Sequence, residues 1–129
     1  MSYANDIKKM HKHHEISYEG PPKELDGELL NLRFKLIEEE YWEFVEASQK
    51  NDREATLDAL VDLVVVAIGC AEQVGWDFDQ AWTRVLLANL QKYPAKSAED
   101  IARSKRKIVN DLVKPEGWKA PSLKDLVHG

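Results

Sequence analysis

Leu36-Ile-Glu-Glu-Glu-Tyr-Trp-Glu-Phe-Val-Glu-Ala47 is the stretch that decides the fold, because its apolar residues recur with a helical period and acids interrupt their stripe. Each residue of an α-helix turns by about 100°, so Glu40 and Glu43 fall inside the apolar stripe. That side of a helix normally packs against the core. We therefore expect two carboxylates in an apolar interface, with Glu39 and Glu46 at its margin.

A second acidic segment, Asp58-Ala-Leu-Val-Asp62, repeats this pattern. Between residues 59 and 71, Asp62 is the only polar side chain, and Asp58 lies one helical turn before it. A short polar link over residues 50–52 joins the two segments and predicts an antiparallel helical hairpin. In such a hairpin the acids of the two segments lie at matching heights, roughly 10–17 Å from the bend at about 1.5 Å per residue.

Four carboxylates between two apolar faces would repel one another and lose their hydration, which costs a large free energy. No Lys or Arg lies nearby on either apolar stripe to compensate this charge. Divalent cations that prefer oxygen ligands would compensate it, and Mg²⁺ fits, with Mn²⁺ as a substitute. The alternative is a solvated acidic face, the usual explanation of a Glu-rich helix. The predicted metal ligands are Glu40, Glu43, Asp58 and Asp62.

Length and composition fit one domain spanning residues 1–129, with a core over about residues 24–93 and a C-terminal helix and tail over residues 97–129. Hydrophobic residues make up 43% and charged residues 32% of the chain, which is ordinary for a soluble globular protein. A net charge of -5 argues against a nucleic-acid partner. The apolar run over residues 63–71 is too short to span a bilayer, so we expect no membrane partner.

Cys70 is the only cysteine, so a disulfide framework is excluded. It lies in an apolar run and is predicted to be a small buried side chain. The N-terminus is polar and lacks the apolar segment of a signal peptide. These features predict a reducing compartment, the cytoplasm.

Caps and breaks along the chain predict an all-α protein. Asp26 and Asp52 are expected helix N-caps, and Gly75 and Pro94 are expected stops. The predicted helices span about residues 2–14, 26–50, 53–75, 77–93 and 97–109. The third helix is apolar on every side, so we expect it to be central or covered by a second subunit. The tail is expected to be irregular, with Trp118 docked on the body or on a neighbouring subunit.

The fourth helix carries two polar residues on one side, because Asn89 lies seven residues after Trp82 and Lys92 lies one turn further. Lys92 offers a point charge and Asn89 a directional hydrogen bond, so a phosphate or nucleotide contact is a reasonable interpretation. A buried amide that satisfies backbone groups is the alternative for Asn89. Residues 103–107 form the only basic cluster, which is either a solvated helical face or a lid that brings charge to phosphates.

Histidines cluster at His11-Lys-His13-His14 near the N-terminus. A metal site there is disfavoured, because no Cys and no other His except His128 completes it. We therefore expect a solvated helix end.

Taken together, these motifs resemble the MazG-like all-α nucleoside triphosphate pyrophosphohydrolases. The stretch quoted first looks like their Glu-x-x-Glu signature, and Asp58-Ala-Leu-Val-Asp62 resembles their second acidic motif. Val85-Leu-Leu-Ala-Asn89-Leu-Gln-Lys92 is similar to the Asn-x-x-Lys element of the phosphoribosyl-ATP-pyrophosphohydrolase-like branch. The ending Lys114-Pro-Glu-Gly-Trp-Lys-Ala-Pro121 looks like the C-terminal segment of that branch. The match covers about residues 6–121, nearly the whole chain.

The resemblance implies a four-helix core of this type, completed by oligomerisation into a homodimer or a homotetramer. It implies Mg²⁺-dependent cleavage of a nucleoside triphosphate between the α- and β-phosphates, giving the monophosphate and pyrophosphate. It assigns metal ligation to Glu40, Glu43 and Asp62. Many members carry Glu three residues before the last acid, where this chain has Ala59, so Asp58 would have to reach across from one residue earlier.

Further roles follow from the chemistry of such a reaction. Glu39 or Glu43 would orient or deprotonate the attacking water. Lys92 and Asn89, with Lys107 or Lys114, would neutralise phosphates that the metal leaves uncovered. Trp42, Trp82 or Tyr93 would stack on the base, and core packing is the alternative for these aromatic residues. The expected substrate-binding residues are Asn89, Lys92, Tyr93, Lys107 and Lys114.

Other functions stay open beside this one. The closest is phosphoribosyl-ATP pyrophosphohydrolase proper, and a non-catalytic, metal-stabilised helical dimer is a second. A carboxylate-bridged redox-metal bundle is disfavoured, because that class needs Glu-x-x-His pairs and no His falls between His14 and His128.

Overall fold

Helices dominate the fold of this chain. A computed structural model describes residues 2–129. Its elements are α1 (Tyr3–His13), α2 (Gly27–Gln49), α3 (Arg53–Glu72), α4 (Phe78–Leu90), β1 (Tyr93–Pro94), α5 (Ala98–Arg103), β2 (Leu112–Val113) and α6 (Lys124–Val127). The predicted all-α class is confirmed, since the two strands comprise only two residues each.

Two compact units make up the described chain. The first unit contains the described residues up to Asp79 together with Lys124–Gly129, and the second unit contains Gln80–Leu123. Among residues 2–129, no helix is long and apolar enough to cross a membrane.

The first unit is built on the helical hairpin that the sequence predicts. Asp52 caps α3 by accepting a hydrogen bond from the amide of Ala55 at 3.0 Å. Asn51 takes the left-handed conformation, with φ of 55°, which a short polar residue in a tight link tolerates. The helices α2 and α3 pack along each other, so the two acidic segments meet across the hairpin.

A small apolar core packs α1 against α3. It consists of Ala4, Ile7 and Ile68, with Val65 and Phe78 packed against it. Ser2 caps α1, and Gly75 follows α3 with φ of 74°, a conformation that glycine adopts without strain.

The second unit departs most from the sequence-based expectation. The helix predicted to reach about Val109 ends at Arg103, because Ser104 turns to an extended conformation. Tyr93 then pairs with Val113 in a two-residue antiparallel ladder, which was not predicted. Pairing this short leaves no alternating pattern in the sequence, so only tertiary contacts specify it.

Trp118 docks within the second unit, as we expected of a tryptophan in the tail. Its Nε1 donates a hydrogen bond to the carbonyl oxygen of Ala88 at 2.8 Å. The Nζ atoms of Lys92 and Lys114 lie 4.8 Å and 4.9 Å from the centre of its ring. The hydrogen bond to Ala88 and the contact with Lys92 therefore hold the tail to the end of α4, and the contact with Lys114 lies within the tail.

Candidate functional site

Three carboxylates from the two helices of the hairpin meet at one point. Glu40 and Glu43 lie one turn apart on α2, and Asp62 lies on α3. One carboxylate oxygen from each residue lies within 4.8 Å of the others. We call this group the acidic cluster. Its position follows from the helical spacing of the acids and from the length of the link between the two helices.

Burial of the acidic cluster is less complete than the sequence predicts. Glu43 is exposed, while Glu40 and Asp62 are half-buried. Two packed helices shield only the line along which they touch, so acids at the edge of that line keep contact with water. The exception is Oε2 of Glu40, which is buried and has no hydrogen-bond partner in residues 2–129.

The remaining predicted acids lie outside this group. Asp58 and Glu39 are both exposed and supply no oxygen to the acidic cluster. They act on it through their charge, because Asp58 helps to raise the pKa of Asp62 and Glu39 helps to raise the pKa of Glu40. Ligation by Asp58 and catalysis by Glu39 stay predictions.

Electrostatic strain within the acidic cluster is strongest at Glu40. Burial raises the pKa of Glu40 to about 7, and a hydrogen bond with Glu43 and the charge of Asp62 add to the effect. Burial also raises the pKa of Asp62, with contributions from the charges of Asp58 and Glu43. Each raised pKa shows that the folded protein disfavours the charged carboxylate. A bound cation would favour the charged form and lower both pKa values.

The set of ligand atoms fits a hard divalent cation. All three side chains offer carboxylate oxygens, which Mg²⁺, Mn²⁺ and Ca²⁺ prefer, and the cluster contains no His or Cys ligand. The unpartnered Oε2 of Glu40 is a buried acceptor of the kind that a metal satisfies. The residues present therefore fit the metal that the sequence predicts.

A pH dependence of stability follows from Glu40. Its pKa is about 7 in the folded protein and lower in the unfolded chain, so the folded state binds more protons between the two values. The metal-free protein should lose stability as pH rises from about 4.5 to about 7. We expect melting curves in EDTA to show this fall, and Mg²⁺ to remove most of it.

The variant Glu40→Gln is the control for this pH dependence. Burial and Arg33 lower the pKa of His11, which gives stability the opposite slope, so the wild type must be compared with this variant. A pH dependence identical in both proteins would contradict the assignment to Glu40.

The second unit holds a basic cavity of about 800 Å³. Asn89, Lys92 and Lys114 line it, which brings together three of the five predicted substrate-binding residues. Asp111 is the only acid in its lining and already pairs with Arg106 at 2.9 Å. The additional basic side chains in its lining are Arg103, Lys105 and Arg106. We call this site the basic pocket.

Three side chains of the basic cluster at residues 103–107 line the basic pocket, and all three are exposed. Both interpretations of this cluster, a solvated face and a lid that brings charge to phosphates, stay predictions. Lys107 is not part of the lining. Its Nζ donates a hydrogen bond to the carbonyl oxygen of Ala102 at 2.7 Å. Tyr93 is half-buried in β1 and also lies outside the lining. Substrate contacts by these two residues stay predictions.

Three buried polar residues of the first unit, His11, Arg33 and Glu72, were missed by the sequence analysis. His11 is 2% exposed, so the expectation of a solvated histidine cluster is wrong for this residue, although His13 and His14 are exposed. Arg33 is 5% exposed, although we expected no basic residue on the apolar stripes near the acids. The available signal was its spacing, because Arg33 precedes Glu40 by two helical turns on the same side of α2.

A family model described as phosphoribosyl-ATP pyrophosphohydrolase matches residues 7–89. The matched segment is more than half of the 129 residues, and it includes the whole acidic cluster. No curated protein matches the chain.

Proposed function

The chain belongs to the phosphoribosyl-ATP pyrophosphohydrolase family and is thus a hydrolase of phosphoric anhydrides; we propose that it cleaves nucleoside triphosphates with the help of Mg²⁺. The products would be the nucleoside monophosphate and pyrophosphate. The single observation that carries this proposal is the acidic cluster, with the unpartnered Oε2 of Glu40 in it.

The acidic cluster supports a metal-dependent reaction. A triphosphate carries dense negative charge, so an acidic cluster can approach it only if cations lie between them. Glu40, Glu43 and Asp62 would hold Mg²⁺, and Mn²⁺ is a possible substitute. When bound, the ion would offset charge on the phosphates and lower the pKa of a water molecule.

The chain's own residues would accept the proton of the attacking water. Water attacks the α-phosphorus, the bond to the oxygen that bridges to the β-phosphate breaks, and that oxygen leaves on pyrophosphate. The water proton passes to a carboxylate, for which Glu43 is the first candidate because it belongs to the acidic cluster and is exposed. Glu39 is the second candidate, since it lies next to Glu40 and is also exposed.

The basic pocket supports binding of a multiply charged anion. Lys92 and Lys114 both contact the ring of Trp118, which limits their conformations and thereby the entropy that they lose on binding. Asn89 in the same lining can donate a directional hydrogen bond. We propose that these residues contact phosphate groups of the nucleotide.

One specific observation favours a second candidate substrate. The family description names phosphoribosyl-ATP. The same chemistry would cleave the phosphoric anhydride bond between the α- and β-phosphates of that compound. The acidic cluster and the basic pocket fit both substrates, because each recognises phosphate and divalent metal rather than a base.

A substrate screen with product identification tests the proposal. The purified protein with Mg²⁺ would be offered the four common NTPs, the corresponding dNTPs and phosphoribosyl-ATP, and products would be separated by anion-exchange chromatography. We expect a monophosphate and pyrophosphate from at least one triphosphate, with ¹⁸O from labelled water in the monophosphate. A nucleoside diphosphate with inorganic phosphate, or turnover of phosphoribosyl-ATP alone, would contradict it.

We further propose a homodimer or homotetramer in the cytoplasm. Large apolar side chains remain exposed along α3, which supports oligomerisation, and the single cysteine suits a reducing compartment.

A further inference from the structure

Charge is divided unevenly between the two units. Gln80–Leu123 contain nine Lys or Arg and four Asp or Glu, which gives the second unit a net charge of +5. The whole chain carries -5, so the rest of it carries -10. A basic unit within an acidic chain indicates a local surface that attracts anions.

The positive charge of the second unit is concentrated at the basic pocket. Five basic side chains line this cavity against one acid, Asp111, whose carboxylate already pairs with Arg106. The other four basic side chains form no ion pair with any of residues 2–129, and they are Lys92, Arg103, Lys105 and Lys114. Charges of one sign around one cavity repel each other, so a bound anion would relieve this repulsion.

The two-stranded ladder brings two of these cations together. Tyr93 pairs with Val113, so Lys92 and Lys114 occupy the next position of the same register. Their Nζ atoms lie 4.8 Å and 4.9 Å from the centre of the Trp118 ring. The two ammonium groups are therefore separated by less than about 10 Å, the Debye length at 0.1 M salt, so salt does not fully screen their repulsion.

Two buried polar residues hold the loop that carries the other cations. Ser104 and Asp111 are 2% and 8% exposed, and both line the basic pocket. Oγ of Ser104 accepts a hydrogen bond from the amide of Lys107 at 3.0 Å. The carboxylate of Asp111 accepts one from the amide of Arg106 at 2.8 Å. These internal hydrogen bonds restrain the loop, which reduces the entropy that it loses when a ligand binds.

The size and charge of the basic pocket indicate a small ligand with several linked phosphates. Its volume of about 800 Å³ lies within the range of small-molecule sites, about 300–1,000 Å³. A single phosphate carries at most about two negative charges, fewer than the four unpaired cations of the lining. A chain of phosphates carries more charge and reaches more of the side chains. An extended nucleic acid fits less well, because the rest of the chain, at -10, would repel it.

We propose that the basic pocket binds a chain of two or three linked phosphates without a metal ion and discriminates against a single phosphate. Its Lys and Arg side chains would donate charge-assisted hydrogen bonds to the phosphate oxygens. All lining residues except Asn89 lie beyond the family match, so the family does not supply this assignment. Only the natural source of the phosphates rests on the proposed function, and it is either the triphosphate of the substrate or the pyrophosphate product.

Binding is tested by calorimetry on the full chain in EDTA at constant ionic strength. The probes are inorganic tripolyphosphate, pyrophosphate, phosphate and a short single-stranded oligonucleotide. We expect tripolyphosphate to bind at least about tenfold more tightly than phosphate, because it accepts more charge-assisted hydrogen bonds. In NMR spectra the indole N–H of Trp118 should shift and saturate, because both Lys92 and Lys114 contact its ring.

The two longer phosphate chains distinguish the natural source. Tighter binding of tripolyphosphate than of pyrophosphate assigns the basic pocket to the triphosphate of the substrate, and the reverse order assigns it to the product. We expect the first order, because tripolyphosphate carries the greater charge.

Variants of two exposed cations make the result specific. The side chains of Arg103 and Lys105 are exposed and make no hydrogen bond within residues 2–129, so replacing them should leave the fold intact. Lys105→Gln combined with Arg103→Gln should weaken tripolyphosphate binding at least about tenfold. Lys105→Gln alone should weaken it to a smaller extent. Its matched control is Lys119→Gln, which removes one exposed charge from the same unit outside the lining and should leave the affinity unchanged.

Four results would overturn the proposal. They are the absence of saturable tripolyphosphate binding, as expected of a solvated basic face, equal affinities for phosphate and tripolyphosphate, an unchanged affinity in the double variant, and an oligonucleotide that binds as tightly as tripolyphosphate. The test needs neither metal nor turnover. An inactive protein that binds tripolyphosphate would contradict the hydrolase proposal alone, and an active protein that does not bind it would contradict this proposal alone.

Discussion

Replacing Glu40 by glutamine is expected to lower kcat/KM with Mg²⁺ and the best nucleotide substrate by at least about 100-fold. Changes in residues that only support a metal ligand typically cost 10–100-fold, so loss of a ligand should cost at least as much. The amide keeps the shape of the side chain but loses its charge. Asp62→Asn should behave in the same way, because it removes a carboxylate from the other helix of the hairpin.

The same substitution should leave the protein folded and make it more stable without metal. Burial and neighbouring carboxylates raise the pKa of Glu40 to about 7, so its charged form is disfavoured in the folded state. A neutral amide removes that repulsion above pH 7. We expect a higher melting temperature than the wild type in EDTA at pH 8 and a smaller increase on addition of Mg²⁺.

Glu38→Gln is the matched control for this prediction. Glu38 is exposed on the same helix and lies outside the acidic cluster, so it should retain near wild-type activity and metal response. Full activity of Glu40→Gln at limiting Mg²⁺ would show that the acidic cluster does not hold the essential metal.

The hairpin and the meeting of its acids were predictable from the sequence. Helical spacing places Glu40 and Glu43 on one side of α2, and a link of a few residues fixes which part of α3 lies opposite. Neither inference needs tertiary information. The degree of burial was not predictable, because it depends on how closely two helices approach and on what else covers their edge.

The second unit was only partly predictable for a related reason. Asn89 and Lys92 lie one turn apart on or just after a helix, and their common side follows from that spacing. Lys114 joins them only because Trp118 folds back onto the end of α4. Contacts between residues on the two sides of such a loop leave no repeating pattern in the sequence. The sequence therefore indicates which residues are candidates for the site, but it does not show how they are arranged.

Arg33 and His11 show the limit of the periodicity argument. Helical spacing indicates that Arg33 lies on the buried side of α2, but a long basic side chain in that position usually reaches water. Only the convergence of two helices and a glycine on one point distinguishes a buried guanidinium from a solvated one. Such convergence is a property of the packed unit.

Val61→Glu is expected to convert an oligomer of this protein into a monomer at micromolar concentration. Leu57, Val61 and Val64 lie on one side of α3 and are 64%, 53% and 50% exposed, so they form an apolar stripe open to water. Soluble monomers seldom leave such a stripe uncovered. The occupant we propose is a second copy of the same stripe, since a symmetric dimer pairs identical surfaces.

The size of the effect follows from that symmetry. Each valine in the interface contributes about 1.5 kcal/mol by burial, and the symmetric dimer loses two of them, or about 3 kcal/mol, which is more than a hundredfold in Kd. Two glutamates brought together would add repulsion. Light scattering should therefore report half the mass of the wild type or less, while the helical content is retained.

Gln49→Glu adds the same charge at an exposed polar position and should leave the mass unchanged. A monomeric wild type would refute oligomerisation itself, whereas an intact Val61→Glu oligomer would move the interface to another surface, because a buried carboxylate at the centre of an apolar contact could not persist unpaired.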